Sequence, residues 1–222
     1  HTRYWRDWSS DVCSSDLLSG DITAKEIISK CSKRLRFLYR NANCLDIHTK
    51  KLLCQSLIQS HYDYACSSWH SSVSATLKHK LQTNQNKMVR FILGKGPREH
   101  VGFNELDSLK WLNVEKRGMQ IKLSNMHKIV YLKSPQYLTD KFNKYVYRPR
   151  YQTRNSTEMT FNLPQFHKNT GHTTFLWTGM KLWNDLPDNI RRIENFNSFK
   201  VMVKQYLMNK MQTEENQTYL YY

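Results

Sequence analysis

Asp63, in HYDYACSS, is the carboxylate placed most like a catalytic one in this chain. Polymerases and nucleases cluster two or more acids to hold divalent metals about 4 Å apart. Asp63 has no adjacent second acid, so it reads as a helix-surface or capping residue. Cys54, His61, Cys66 and His70 are metal-ligand types, but no tight pair brackets each half of the set, as zinc knuckles require. They read as buried thiols and ordinary histidines, and no metal or cofactor is expected. No GxSxG elbow occurs. GKGPREH lacks the spacing of a phosphate loop, though Lys95 and Arg98 in it could meet a phosphate backbone.

The chemistry the sequence supports best is cation and ring against phosphate and base. KMVRFILGKGPR supplies Lys87, Arg90, Lys95 and Arg98; VEKRG supplies Lys116 and Arg117; KYVYRPRYQTR supplies Lys144, Arg148, Arg150 and Arg154 among tyrosines. These ten cations are the candidate nucleic-acid-binding residues. The net charge of +16, from 34 basic and 18 acidic residues, points the same way. RNA or DNA is the first expected partner. An anionic membrane surface is the second reading of that charge, but no membrane partner is expected; no apolar run approaches the ~18–20 residues a transmembrane helix needs. Five widely spaced cysteines without CxxC suggest reduced thiols. The expected location is intracellular, nuclear or cytoplasmic, and not secreted.

The elements that must position these residues are mainly helical. An apolar stripe of Ile27, Ile28, Cys31, Leu35 and Leu38 runs through Asp21 to Arg40, with Lys30, Lys33, Arg34 and Arg36 beside it. A second helix is expected from about Asp46 into the sixties, with Leu53, Leu57 and Ile58 inward. A third covers about Val73 to Leu93 and ends at Gly94. Asn84 and Gln85 break its stripe. A short piece near 103–109 follows, then a helix capped by Asn113 with Met119, Leu123, Met126 and Val130 inward. Ser134 and Pro135 open another. Periodicity fails near 143–171, returns in TFLWTGMKLWNDLP, and returns again from about Ser198 to Lys210, before a polar then aromatic tail. The expectation is a loose array of about six or seven helices with an irregular stretch near 143–171.

Three blocks, in order, carry a resemblance. In CQSLIQSHYDYACSSWHSS and LKHKLQTNQNKMVRFILG the pattern residues are Tyr62, Tyr64, Trp69, Leu77, Leu81, Gln82, Gln85, Asn86, Lys87, Arg90, Ile92 and Gly94. In LDSLKWLNVEKR they are Leu106, Leu109, Trp111, Leu112 and Arg117. In the last block they are Trp183, Asn184, Leu186, Pro187, Ile190, Phe199, Lys200 and Leu207. Together, over about 25–207, they resemble the region after the catalytic palm in reverse transcriptases of non-LTR (LINE-type) retrotransposons. The resemblance implies the C-terminal part of an RNA-directed DNA polymerase, whose helical thumb grips template and primer. It divides the chain into a thumb-like region at 18–142, a basic aromatic loop at 143–171, a C-terminal helical region at 172–210 and a tail at 211–222. No FADD- or YADD-like box stands in the chain, so the palm and its Mg²⁺-holding aspartate pair belong to the parent polymerase and are missing here. The expected function is non-catalytic RNA or DNA backbone binding, with the parent's palm as a second partner. Two alternatives are a host-adopted helical module that contacts a protein through Trp and Tyr, and a decayed element without function.

The head of the chain stands apart. HTRYWRDWSSDVCSSDL is acidic: Arg3 and Arg6 against Asp7, Asp11 and Asp16. DWSSDVCSSDL resembles one reading frame of a common short-read sequencing adapter. Residues 1–17 are therefore expected to be an adapter artefact, disordered and outside the fold.

Overall fold

A computed structural model describes residues 20–147 and 160–220, with 218–220 described for their backbone alone. Helix α1, Gly20–Arg40, buries Ala24, Ile27, Cys31, Leu35 and Leu38. That three-and-four spacing lines one face, so the intervening cations face outward. Helix α2, Ile47–Cys54, starts where the Asp46 carboxylate accepts from the backbone N–H groups of His48 and Thr49. It continues through a π turn, Gln55–Gln59, into α3, Ser60–Asp63.

The π turn corrects one sequence expectation. Its wider repeat shifts the helical phase, so Ile58 and Cys54 are buried while Leu57 is exposed. Ala65, at φ 48°, then reverses the chain into α4, Cys66–Trp69.

Helix α5, Ala75–Leu93, ends at Gly94, whose φ of 67° suits a residue without a Cβ. The polar break in its stripe is structural. Asn84 Nδ2 donates to Ile28 O and Ser32 Oγ of α1, and Gln85 Nε2 donates to Leu112 O at 2.8 Å. These two buried amides pin α5 to its neighbours on both sides.

Helix α6, Phe103–Ser108, leads to α7, Val114–Val130, capped by Asn113 Oδ1 accepting from Lys116 N. Helix α7 is the hub: α3, α4, α5, α8 (Gln136–Asn143), α10 (Phe175–Asn184) and α12 (Phe196–Leu220) all pack on it. Neighbours on so many sides explain why it buries more than its apolar stripe. Lys116, Gln120, Lys122 and His127 are interior along with Leu123 and Met126. Two glycines permit the closest approaches. A Cβ on Gly118 would meet the His70 ring at 2.9 Å, and one on Gly179 would meet Met126 Sδ at 2.9 Å.

The short helices α9, Asn169–His172, and α11, Asp188–Arg191, complete the order. Within the irregular stretch, Val146 and Phe161 form an isolated antiparallel bridge. Asn184 holds it, accepting from Phe161 N and donating to Phe161 O. Residues 148–159, and 1–17 at the head, lie outside the described residues.

Helix α12 runs ten residues beyond the expected end at Lys210. No Gly or Pro stops it, Met211 is buried, and Glu214 and Glu215 find partners on α7 and α6. One core joins Ala24 to Met211, with Trp183, Phe91, Phe142 and Phe199 fully buried. Each such side chain contributes roughly 1.5–3 kcal/mol. Among the described residues seven helices run to eight residues or more, so the fold is mainly α as the periodicity predicts.

Candidate nucleic-acid interface

The described cations of this set do not share one environment. Lys87 stands exposed on the outer side of α5, and Arg98 is exposed in the loop after it. Arg90 is half-buried, and its Nε donates to Glu99 O at 2.6 Å. Lys144 is exposed just past α8. Arg148, Arg150 and Arg154 lie outside the described residues.

The other three have acid partners within the chain. Lys95 Nζ sits 2.6 Å from Glu105. Lys95, with the backbone N–H of Gly102, holds the Glu105 carboxyl down to about 2. Lys116 is 4% exposed and lies 2.6 Å from Glu214 of α12. Arg117 donates Nε and Nη2 to the two oxygens of Asp63, at 3.0 and 2.7 Å, and Nη1 to Gln120. Asp63 is therefore a structural acceptor on α3 and not a surface cap. The pair ties α3 to α7, and the Arg117 guanidinium is held protonated by its Asp63 hydrogen bonds.

The structure also groups cations that the candidate set omits. On α1, Lys33, Arg36 and Arg40 are exposed on the side opposite the buried stripe, and Phe37 stands among them at 62% exposed. Tyr39 links this end of α1 to α5. Its ring meets Phe91 edge-on with centroids 4.9 Å apart, and its hydroxyl donates to Lys87 O at 3.3 Å. Lys50 Nζ lies 5.5 Å from the centre of the Phe91 ring. Lys33, Arg36 and Arg40 thus flank exposed Phe37 on the outward face of α1, while Lys50, Lys87 and Arg90 lie near Tyr39 at the α1–α5 seam. Cations can neutralise phosphates there, and a ring offers a stacking face to any base. The signal was present in the sequence: Lys33, Arg36, Phe37 and Arg40 fall at i, i+3, i+4 and i+7.

Among the described tryptophans, Trp177 alone is only half-buried. Trp69, Trp111 and Trp183 are core residues, while Tyr64 is 81% exposed. Cys31, Cys54 and Cys66 are buried free thiols, pushed by burial to about 11, 12 and 12. Among the described residues no group of three His, Cys, Asp or Glu is placed to hold a metal ion. No helix among them is long and apolar enough to cross a membrane.

Compared with known proteins, the chain matches no family model, no curated protein and no solved structure.

Proposed function

We propose that this chain is a helical part of a non-LTR retrotransposon reverse transcriptase that binds RNA or DNA by its phosphates without polymerising. The observation that carries the reading is the α1–α5 surface, where Lys33, Arg36 and Arg40 flank Phe37 on the outward face of α1 and Tyr39 meets Lys87 at the seam with α5. Surface cations release condensed counterions when they meet phosphates, and that release drives binding without sequence preference. Arg98 and Lys144 add to the same field at longer range. No divalent ion is needed for this contact.

Filter binding of a single-stranded oligonucleotide across a salt series tests the reading. A steep loss of affinity with salt supports it, and binding that salt does not change sinks it. Synthesis of DNA on a primed template with Mg²⁺ would overturn the non-catalytic half.

Exposed Ile47, Leu52 and Leu57, on α2 and the π turn after it, favour a second reading as a module that docks on a protein. That contact would be apolar and salt-tolerant, so the same salt series separates the two.

A further inference from the structure

A pocket of about 380 Å³ opens between α5, α7, α10 and α12. Small-molecule sites span roughly 300–1,000 Å³. Four lysines reach its lining from four helices: Lys78 of α5, Lys122 of α7, Lys181 of α10 and Lys210 of α12. Glu115 and Asp185 are the acids beside them in the lining, so cations dominate.

Lys122 is built into the wall and is 4% exposed. Its ammonium donates to the Ser71 hydroxyl, and among the described residues no carboxylate comes within ion-pair distance, although Glu115 acts on it from farther away. An ammonium removed from water needs compensating charge. Burial, with Lys78 close by, holds its pKa down at about 8, so most of it is still charged near neutrality. His70, 5% exposed, lies on the same wall, and its Nε2 has no hydrogen-bond partner among the described residues. Met119 and Leu123 of α7, Trp177 of α10 and Tyr206 of α12 add apolar and aromatic surface to the lining. Lys181 Nζ rests 5.0 Å from the centre of the Trp177 ring. An exposed cation–π contact of that kind is weak, so Lys181 is readily drawn to a stronger anion.

We propose that this pocket binds a nucleoside phosphate, with its phosphate among Lys78, Lys122, Lys181 and Lys210 and its base against Trp177. The phosphate supplies the close counter-charge that Lys122 lacks, and the indole supplies a face for a flat heterocycle. The chemistry is the same whether the ligand is a free nucleotide or the 5′-terminal nucleotide of a strand. The pocket does not rest on the α1–α5 surface. Lys78 sits nine residues from Lys87 along α5, about 13 Å at 1.5 Å per residue.

Isothermal titration of the full chain with AMP and with adenosine is the test. AMP should bind at one site, roughly tenfold or more tighter than adenosine, as expected when charge-assisted hydrogen bonds are lost. Lys181→Ala and Lys210→Ala change exposed residues and leave the helical circular-dichroism signal intact. Each should weaken AMP several-fold. A second arm compares oligothymidylates with a 5′-phosphate and a 5′-hydroxyl. A preference for the phosphorylated strand that Lys210→Ala removes assigns the terminal nucleotide as ligand. Equal strand binding with tight AMP assigns the free nucleotide. Equal weak binding of AMP and adenosine without a strand preference overturns the proposal, and so does AMP affinity unchanged in both variants. Either outcome leaves the α1–α5 reading standing, because that surface is read by its own salt slope.

Discussion

Asp63→Asn removes the charge from the carboxylate that accepts both Nε and Nη2 of Arg117. The two side chains are 29% and 34% exposed, so the pair lies between the surface and buried limits. Exposed ion pairs contribute about 0–1 kcal/mol and broken buried pairs cost about 3–5 kcal/mol, so roughly 1–2 kcal/mol is expected here. For a chain of this size that corresponds to a fall in Tm of roughly 3–6 °C. Arg117→Gln should cost a similar amount. The double variant should cost little more than either single one, a coupling of roughly 1–2 kcal/mol. Thermal unfolding followed by circular dichroism reads all four proteins. The same set decides what Arg117 does. Held by Asp63, it should leave the salt slope of oligonucleotide binding unchanged when replaced by Gln. A single-strand slope that falls by about 0.7 in Arg117→Gln would mean a lost phosphate contact. That result, or additive stability effects, would refute the structural role.

Three further outcomes follow from the core. Trp183→Ala empties a fully buried indole site, and chemical denaturation should register a loss of about 3–5 kcal/mol. His70 is held neutral, near a pKa of about 4, by burial and by Lys122 and Lys78. Its folded value lies below the ordinary 6.5, so the folded state resists protonation. Stability is whole above pH 6.5 and falls as pH drops toward 4. His70→Gln should flatten that part of the stability–pH curve; an unchanged curve would contradict the assignment. In a Cys13→Ser background, a thiol reagent should label exposed Cys44 at once, and reach buried Cys31, Cys54 and Cys66 only when the chain unfolds.

How far the sequence could be read depends on whether one face or several were buried. Helix α1 has one buried face, and most of its stripe was legible: Ile27, Cys31, Leu35 and Leu38 are buried, Ile28 is only half-buried, and Ala24 joins them. The ends of α5 and α7 were legible too, because Gly94 and Asn113 are local stop and start signals. The hub position of α7 was not legible. Its buried Lys116, Gln120, Lys122 and His127 read as outward residues until neighbours cover most of its sides. The π turn hid the phase change that exposes Leu57. The extension of α12 depended on Glu214 and Glu215 finding partners about a hundred residues away, which no local pattern announces. For the site, basic and aromatic character was legible, but not which cations were already paired. Lys95, Lys116 and Arg117 look like free cations in one dimension and meet Glu105, Glu214 and Asp63 in three. The pocket lysines come from four separate segments, so no window of sequence brings them together.

The central claim is that the α1–α5 surface binds nucleic-acid phosphates. Fluorescence anisotropy of a labelled single-stranded oligonucleotide, titrated from low to high salt, tests it most directly. With Lys33, Arg36, Arg40 and Lys87 each meeting one phosphate, log K should fall against log salt with a slope of about −3. Reversing Lys33, Arg36 and Arg40 to Glu should remove roughly two units of that slope, while the helical signal is kept. A flat salt dependence, or a triple variant that binds as the unmodified chain does, would contradict the account.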